Sequence, residues 1–235
     1  MFQTKSGICF YELTNSMIAQ KNEHEASRMS AYMKENFPFL GIKSTPRRQI
    51  MRDFVKQYGW PAEPEIYTLV KQLWQKEERE YQYLALDLLE HRFKKSIKAN
   101  DATLLEYLVT HKSWWDTVDL IASKLCGAYF KKYPQQIAPY AEKWINSSNM
   151  WLNRIAILYQ LKYKKDTDEF RLFSYCLQHA DSTEFFHQKA IGWALREYSK
   201  TDPKAVVKFV ESKTLKPLSK REALKWVHRK QKELV

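Results

Sequence analysis

Apolar residues recur every three or four positions along almost the whole of this chain, and no stretch alternates with period two. The residues up to about Ser6 read as a loose lead-in, and Ile8 to Gln20 supports a first helix. Asn22 and Glu25 form an N-cap and capping-box pair for a second helix carrying Ala26, Met29, Tyr32 and Met33. Phe37-Pro38-Phe39-Leu40-Gly41 breaks it. Thr45-Pro46 then starts a helix with Ile50, Phe54 and Val55 inward and Arg47, Arg48 and Arg52 outward, and Gly59 ends it. Pro64 opens the next, with the stripe Ile66, Leu69, Val70, Leu73 and Trp74. Glu78 to Lys95 follows, and Asn100 or Asp101 caps a short helix with Leu104, Leu105, Leu108 and Val109.

The run Ser113-Trp114-Trp115-Asp116-Thr117-Val118-Asp119 then sets two faces of one helix. Ser113 and Asp116 read as its capping pair. Trp114, Val118, Ile121 and Leu125 form an apolar stripe and are expected in the core. Trp115 and Asp119 are also one turn apart, on a different face. Past Pro134, Ile137, Ala141, Trp144 and Ile145 mark another helix, and Asn149 caps one from Met150 to about Lys164. Asp166 or Thr167 starts a helix with Phe170, Phe173 and Leu177. Asp181 with Glu184, Asp202-Pro203, and Ser219 with Glu222 signal the last three starts.

These starts recur at about 18 residues, so a helix pair occupies about 36, the spacing of stacked helical repeats. The expected fold is all-α: a right-handed α-α superhelix, or solenoid, of HEAT-like helix-turn-helix repeats with about 12–13 helices. Nothing in the chain reads as a linker, so residues 1–235 are expected to form a single domain.

Composition narrows the chemistry. With 44% hydrophobic and 28% charged residues, the chain has the balance of a soluble globular protein. The net charge of +12 predicts a polyanionic partner, nucleic acid or an anionic membrane surface. Cys9, Cys126 and Cys176 are far apart, which fits buried thiols in a reducing cytoplasm and argues against zinc. The histidines lack metal-ligand spacing, so no metal is expected. The five glycines are isolated, so no phosphate-cradling loop and no nucleotide cofactor is expected. No apolar run is long enough for a membrane helix.

Two further segments carry candidate chemistry. Lys189, Trp193, Arg196 and Lys200 share one helix face, apart from the stripe Phe186, Ala190, Ala194 and Tyr198. Arg154 sits near a helix start, where the macrodipole disfavours a cation unless an anion is at hand. A bound phosphate or a neighbouring acid would each supply one. Arg47, Arg48, Arg154, Lys189 and Arg196 are thus candidate phosphate contacts. One carboxylate with indole walls suits cleavage of an N-glycosidic bond, because the sugar becomes cationic in the transition state.

Lys112-Ser113-Trp114-Trp115-Asp116-Thr117-Val118-Asp119, Met150-Trp151-Leu152-Asn153-Arg154 and Gln188-Lys189-Ala190-Ile191-Gly192-Trp193 resemble signatures of the AlkD family of bacterial DNA alkylation repair glycosylases. Ala31-Tyr32-Met33-Lys34, Phe39-Leu40-Gly41-Ile42 and Pro217-Leu218-Ser219-Lys220-Arg221-Glu222-Ala223 are similar too. The resemblance implies excision of cationic N3- and N7-alkylated purines, such as 3-methyladenine and 7-methylguanine, from double-stranded DNA. It implies a monofunctional glycosylase, without metal or cofactor, that acts without base flipping. Asp119 matches the catalytic carboxylate, and Trp115 and Trp193 the aromatic pair at the lesion. Arg154 and Tyr32 match DNA contacts in the same cleft, and Lys189 and Arg196 match backbone-contact positions. A monomer is expected. The competing expectation is a catalytically silent HEAT-like module that binds structured nucleic acid, and a third is a solenoid that binds an acidic protein.

Overall fold

A computed structural model describes residues 5–233. Of the lead-in expected up to about Ser6, residues 1–4 lie outside them, and residues 5 and 6 belong to the first helix. The chain divides into two compact units, 1–96 and 97–235. Counting 115–132 and 137–145 as one helix each, thirteen α-helices and no strand occur among the described residues.

The first unit holds α1 (Lys5–Ile18), α2 (Glu23–Tyr32), α3 (Ser44–Tyr58), α4 (Glu63–Gln75) and α5 (Arg79–Lys95). Asn22 caps α2 by accepting from the Glu25 amide, as its spacing predicts. Helix α1 packs on α3 and α4, and α4 packs on α5. Leu13, Met17, Leu69, Val70, Leu73, Leu84, Leu88 and Leu89 form the fully buried seam. The turn between α2 and α3 is tied down by the buried Glu80 carboxylate. It accepts from the amides of Leu40, Gly41 and Ile42 at 2.9, 2.8 and 2.9 Å. Gly41 has φ +85°, and a Cβ there would stand 2.0 Å from the Asn22 carbonyl, so only glycine fits.

The second unit opens with α6 (Asp101–Thr110) and a long rod over 115–132. The rod comprises α7 (Trp115–Leu120), a π-helical turn (Ile121–Cys126) and α8 (Gly127–Lys132). A second π-helical turn (Ile137–Glu142) runs into α9 (Lys143–Ile145). Helices α10 (Met150–Leu158), α11 (Glu169–Gln178), α12 (Phe185–Ser199), α13 (Pro203–Ser212) and α14 (Pro217–Glu233) complete it. The rod packs on α10, α10 on α12 and α12 on α14, while α9, α11 and α13 pack beside them. This next-but-one stacking is the solenoid arrangement. Four successive stacked helices can therefore each present one residue to a common place.

Local signals fared unevenly. Asn149 caps α10 by accepting from the amides of Trp151 and Leu152, and Asp202 caps α13 by accepting from Ala205, both as expected. Ser113 does not cap α7. Its hydroxyl bonds back to the Val109 carbonyl, and Trp114, in extended conformation, is the N-cap residue. Ser219 is buried inside α14 and donates to the Gln188 carbonyl at 3.1 Å, so it joins two helices instead of starting one. Helix α10 ends at Leu158, short of Lys164, and α12 begins only at Phe185. Phe170 is 85% exposed, because α11 buries Leu172, Tyr175 and Cys176. Arg47, expected outward, is only 8% exposed. Its Nε donates to Asp87 Oδ2 at 3.2 Å, and its guanidinium lies over the Tyr83 ring. The α3–α5 packing covers its stem, which removes it from the candidate phosphate contacts.

Candidate active site

Because α7 starts at Trp115, one turn carries Trp115 and Asp119 to the same face, while Val118 and Ile121 go to the core. Asp119 meets Arg154 of α10 in a two-pronged ion pair. Nε donates to Oδ1 at 2.7 Å and Nη2 to Oδ2 at 2.9 Å. The remaining terminal nitrogen, Nη1, donates to the Phe186 carbonyl of α12 at 2.7 Å. Arg154 is 4% exposed. A neighbouring acid, rather than a bound phosphate, thus supplies the anion its position requires.

Burial raises the Asp119 pKa above the ordinary aspartate value. Hydrogen bonds and charge from Arg154 oppose the rise, and the nearby Asp116 adds to it. The carboxylate is therefore held in place and only partly relieved of its desolvation, which makes it more basic than a solvated aspartate.

Behind the pair lies an aromatic cluster. Trp114 packs against Trp151 and Phe186 at ring separations of 5.7 and 5.2 Å, and Trp151 lies 4.8 Å from Phe186. Trp114 is only half-buried, so it supports the site wall instead of filling the core as expected. Trp115, Asp119, Arg154, Phe185, Phe186, Lys189, Trp193 and Arg196 line one solvent-open pocket of about 250 Å³. Six of the expected site residues thus converge on it from the rod, α10 and α12. The other three, Tyr32, Arg47 and Arg48, belong to the first unit. Tyr32 ends α2 and is 69% exposed, and Arg48 is exposed on α3.

The two cations of the pocket wall share one acid. Glu222 of α14 accepts from Lys189 Nζ at 3.4 Å and from Arg196 Nη1. Burial pushes its carboxyl up, but Lys189, Arg196 and Lys225 together outweigh that and hold the pKa below the usual glutamate value. Helix α12 comes this close because Gly192 faces α14. A Cβ on Gly192 would sit 2.5 Å from Glu222 Cβ and 3.0 Å from the Ser219 carbonyl.

The sequence pattern did not single out Phe185, the Phe186 carbonyl or the role of Glu222. An isolated glycine between Lys189 and Arg196, in the middle of a helix, was the available sign that another helix packs there. Among the described residues, no group of three or more His, Cys, Asp or Glu side chains comes together to hold a metal ion. No helix among them is long and apolar enough to cross a membrane.

The chain is similar to a solved structure described as a predicted DNA alkylation repair enzyme from Enterococcus faecalis. Identity is 33% and the TM-score is 0.81, over 88% of this chain and 96% of that one. Among curated proteins there is no match. Residues 13–227 match the family of DNA alkylation repair enzymes, and the chain belongs to that family.

Proposed function

We propose that the protein is an AlkD-type DNA glycosylase. It hydrolyses the N-glycosidic bond of cationic N3- and N7-alkylated purines in double-stranded DNA, as a cytoplasmic monomer of one functional domain. The observation that carries this reading is the convergence of Trp115, Asp119, Arg154 and Trp193 on one open pocket. The indole walls of Trp115 and Trp193 favour a cationic base or sugar between them. As the C1′–N bond breaks, its electron pair passes to the base and neutralises the alkylated ring. Positive charge builds on the deoxyribose, and the Asp119 carboxylate stabilises it. The same carboxylate orients a water, whose oxygen adds to C1′ and whose proton it accepts. Because the alkylated base already carries positive charge, no second acid is needed to protonate it.

Arg154 keeps the carboxylate in place in this scheme, with its anion supplied by Asp119. Lys189, Arg196, Arg48 and Tyr32 are the proposed DNA contacts, the first two from the pocket wall. An open pocket, as opposed to a closed cavity, suits attack on a nucleotide that is not flipped into the protein.

The test is release of 7-methylguanine and 3-methyladenine from methylated duplex DNA by wild type and Asp119→Asn. The expected result is release by wild type and its near-loss in the variant. No release by wild type would end the enzyme reading in favour of a binding module, and full activity in the variant would end the mechanism.

A further inference from the structure

We infer that His187, whose side chain lies outside the pocket lining, is a positioning residue for the Arg154–Asp119 pair. His187 sits in the first turn of α12, next to Phe186, whose carbonyl holds Arg154 Nη1. Its ring is buried, and both nitrogens are bonded. Nε2 lies 3.1 Å from Asn153 Oδ1, and Nδ1 lies 2.8 Å from Ser182 Oγ. Asn153 precedes Arg154 on α10.

The proton positions follow from the partners. Asn153 Nδ2 donates among the carbonyls of Trp144, Ile145 and Ser147 at 2.9, 3.1 and 2.8 Å. Its Oδ1 must therefore face the ring, and being an acceptor it requires a proton on Nε2. Nδ1 is then the acceptor for the Ser182 hydroxyl. The imidazole is neutral with a single tautomer, and burial, with His179 and Arg154 nearby, pushes its pKa down to about 4.

Two rungs thus join the starts of α10 and α12, one residue apart on each helix. The Asn153–His187 rung is buried and lies out of the pocket. The Arg154–Phe186 rung faces Asp119. The inner rung sets the spacing of the two helices. That spacing sets where the Phe186 carbonyl stands, and so the plane in which the guanidinium presents its fork. Helix starts that drift by an ångström would leave the ion pair formed but misaligned.

The experiment compares wild type, His187→Leu, His187→Gln and Ser182→Ala. A glutamine can return an N–H donor to Asn153 Oδ1, and leucine cannot. The first readout is hydrogen exchange of the Arg154 Nε–H by NMR, which needs no substrate. His187→Leu is expected to accelerate it about tenfold or more, with His187→Gln close to wild type. The second readout, which rests on the proposed glycosylase function, is single-turnover base release from methylated duplex, measured beside duplex affinity. His187→Leu is expected to slow release about 100-fold while affinity changes less than about threefold.

Unchanged Arg154 exchange in a folded His187→Leu protein overturns the inference. So does failure of His187→Gln to restore it. If His187→Leu does not fold, Ser182→Ala decides. Exchange about threefold faster supports the inference, and wild-type exchange overturns it. If wild type releases no base, the proposed function fails, and the exchange measurement still decides the role of His187.

Discussion

Arg154 grips Asp119 by both carboxylate oxygens, at 2.7 and 2.9 Å, across 35 residues of chain. Its other terminal nitrogen donates to a third helix, through the Phe186 carbonyl. A forked guanidinium of this kind fixes the plane of the carboxylate as well as its position.

Removing either partner leaves the other buried without its counter-charge. Asp119→Ala is expected to destabilise the protein by about 3 kcal/mol, measured by urea unfolding. Base release should fall about 100- to 1,000-fold. Arg154→Lys keeps the charge but loses the fork, so it should slow release while changing DNA affinity little. A lysine variant with wild-type release would show that carboxylate orientation does not matter.

The acid limb of activity should lie above the range of an ordinary aspartate, about pH 4, because burial raises the Asp119 pKa and the reaction needs the ionised form. Arg154→Gln removes the group that opposes the rise. Its pH–rate profile should therefore shift further up, and a downward shift would contradict this assignment.

Stability should fall on mild acidification through His187. Its folded pKa is about 4, against about 6.5 when unfolded, so between these values the unfolded chain binds the extra proton. The contribution is fully present above about pH 6.5 and is lost as pH falls toward about 4. Between about pH 7 and pH 5 the expected loss is about 2 kcal/mol by denaturant unfolding. His187→Gln should abolish that part of the slope.

Glu222→Gln releases Lys189 and Arg196 from their shared acid and leaves the pocket wall more positive. Duplex affinity at low salt should rise several-fold. The slope of log affinity against log salt should steepen by about 1 to 2, as two cations become available to phosphates. A fluorescence-anisotropy titration over a salt series reads both, and an unchanged slope would place these cations off the DNA.

Gly192→Ala tests the close approach of α12 and α14. One of its blocking contacts is the Ser219 backbone carbonyl, which cannot move aside as a flexible side chain would. A loss of about 2 kcal/mol is expected, with a lower Tm. Wild-type stability would mean the two helices can separate freely.

The amino-acid sequence by itself determined the class of fold, because helical periodicity and caps such as Asn22, Asn149 and Asp202 act within one or two turns of chain. It also determined that Trp115 and Asp119 share a face, since one helical turn separates them. Where Ser113 and Ser219 misled, their hydroxyls found a partner in another helix or earlier in the chain, which a local capping rule does not weigh. Only the tertiary structure decided that Arg47 turns inward, that Arg154 answers to Asp119, and that Lys189 and Arg196 answer to Glu222. These are pairings between helices. Their partners are chosen by which helices stack and how closely, and a one-dimensional pattern of charges carries no distance between them.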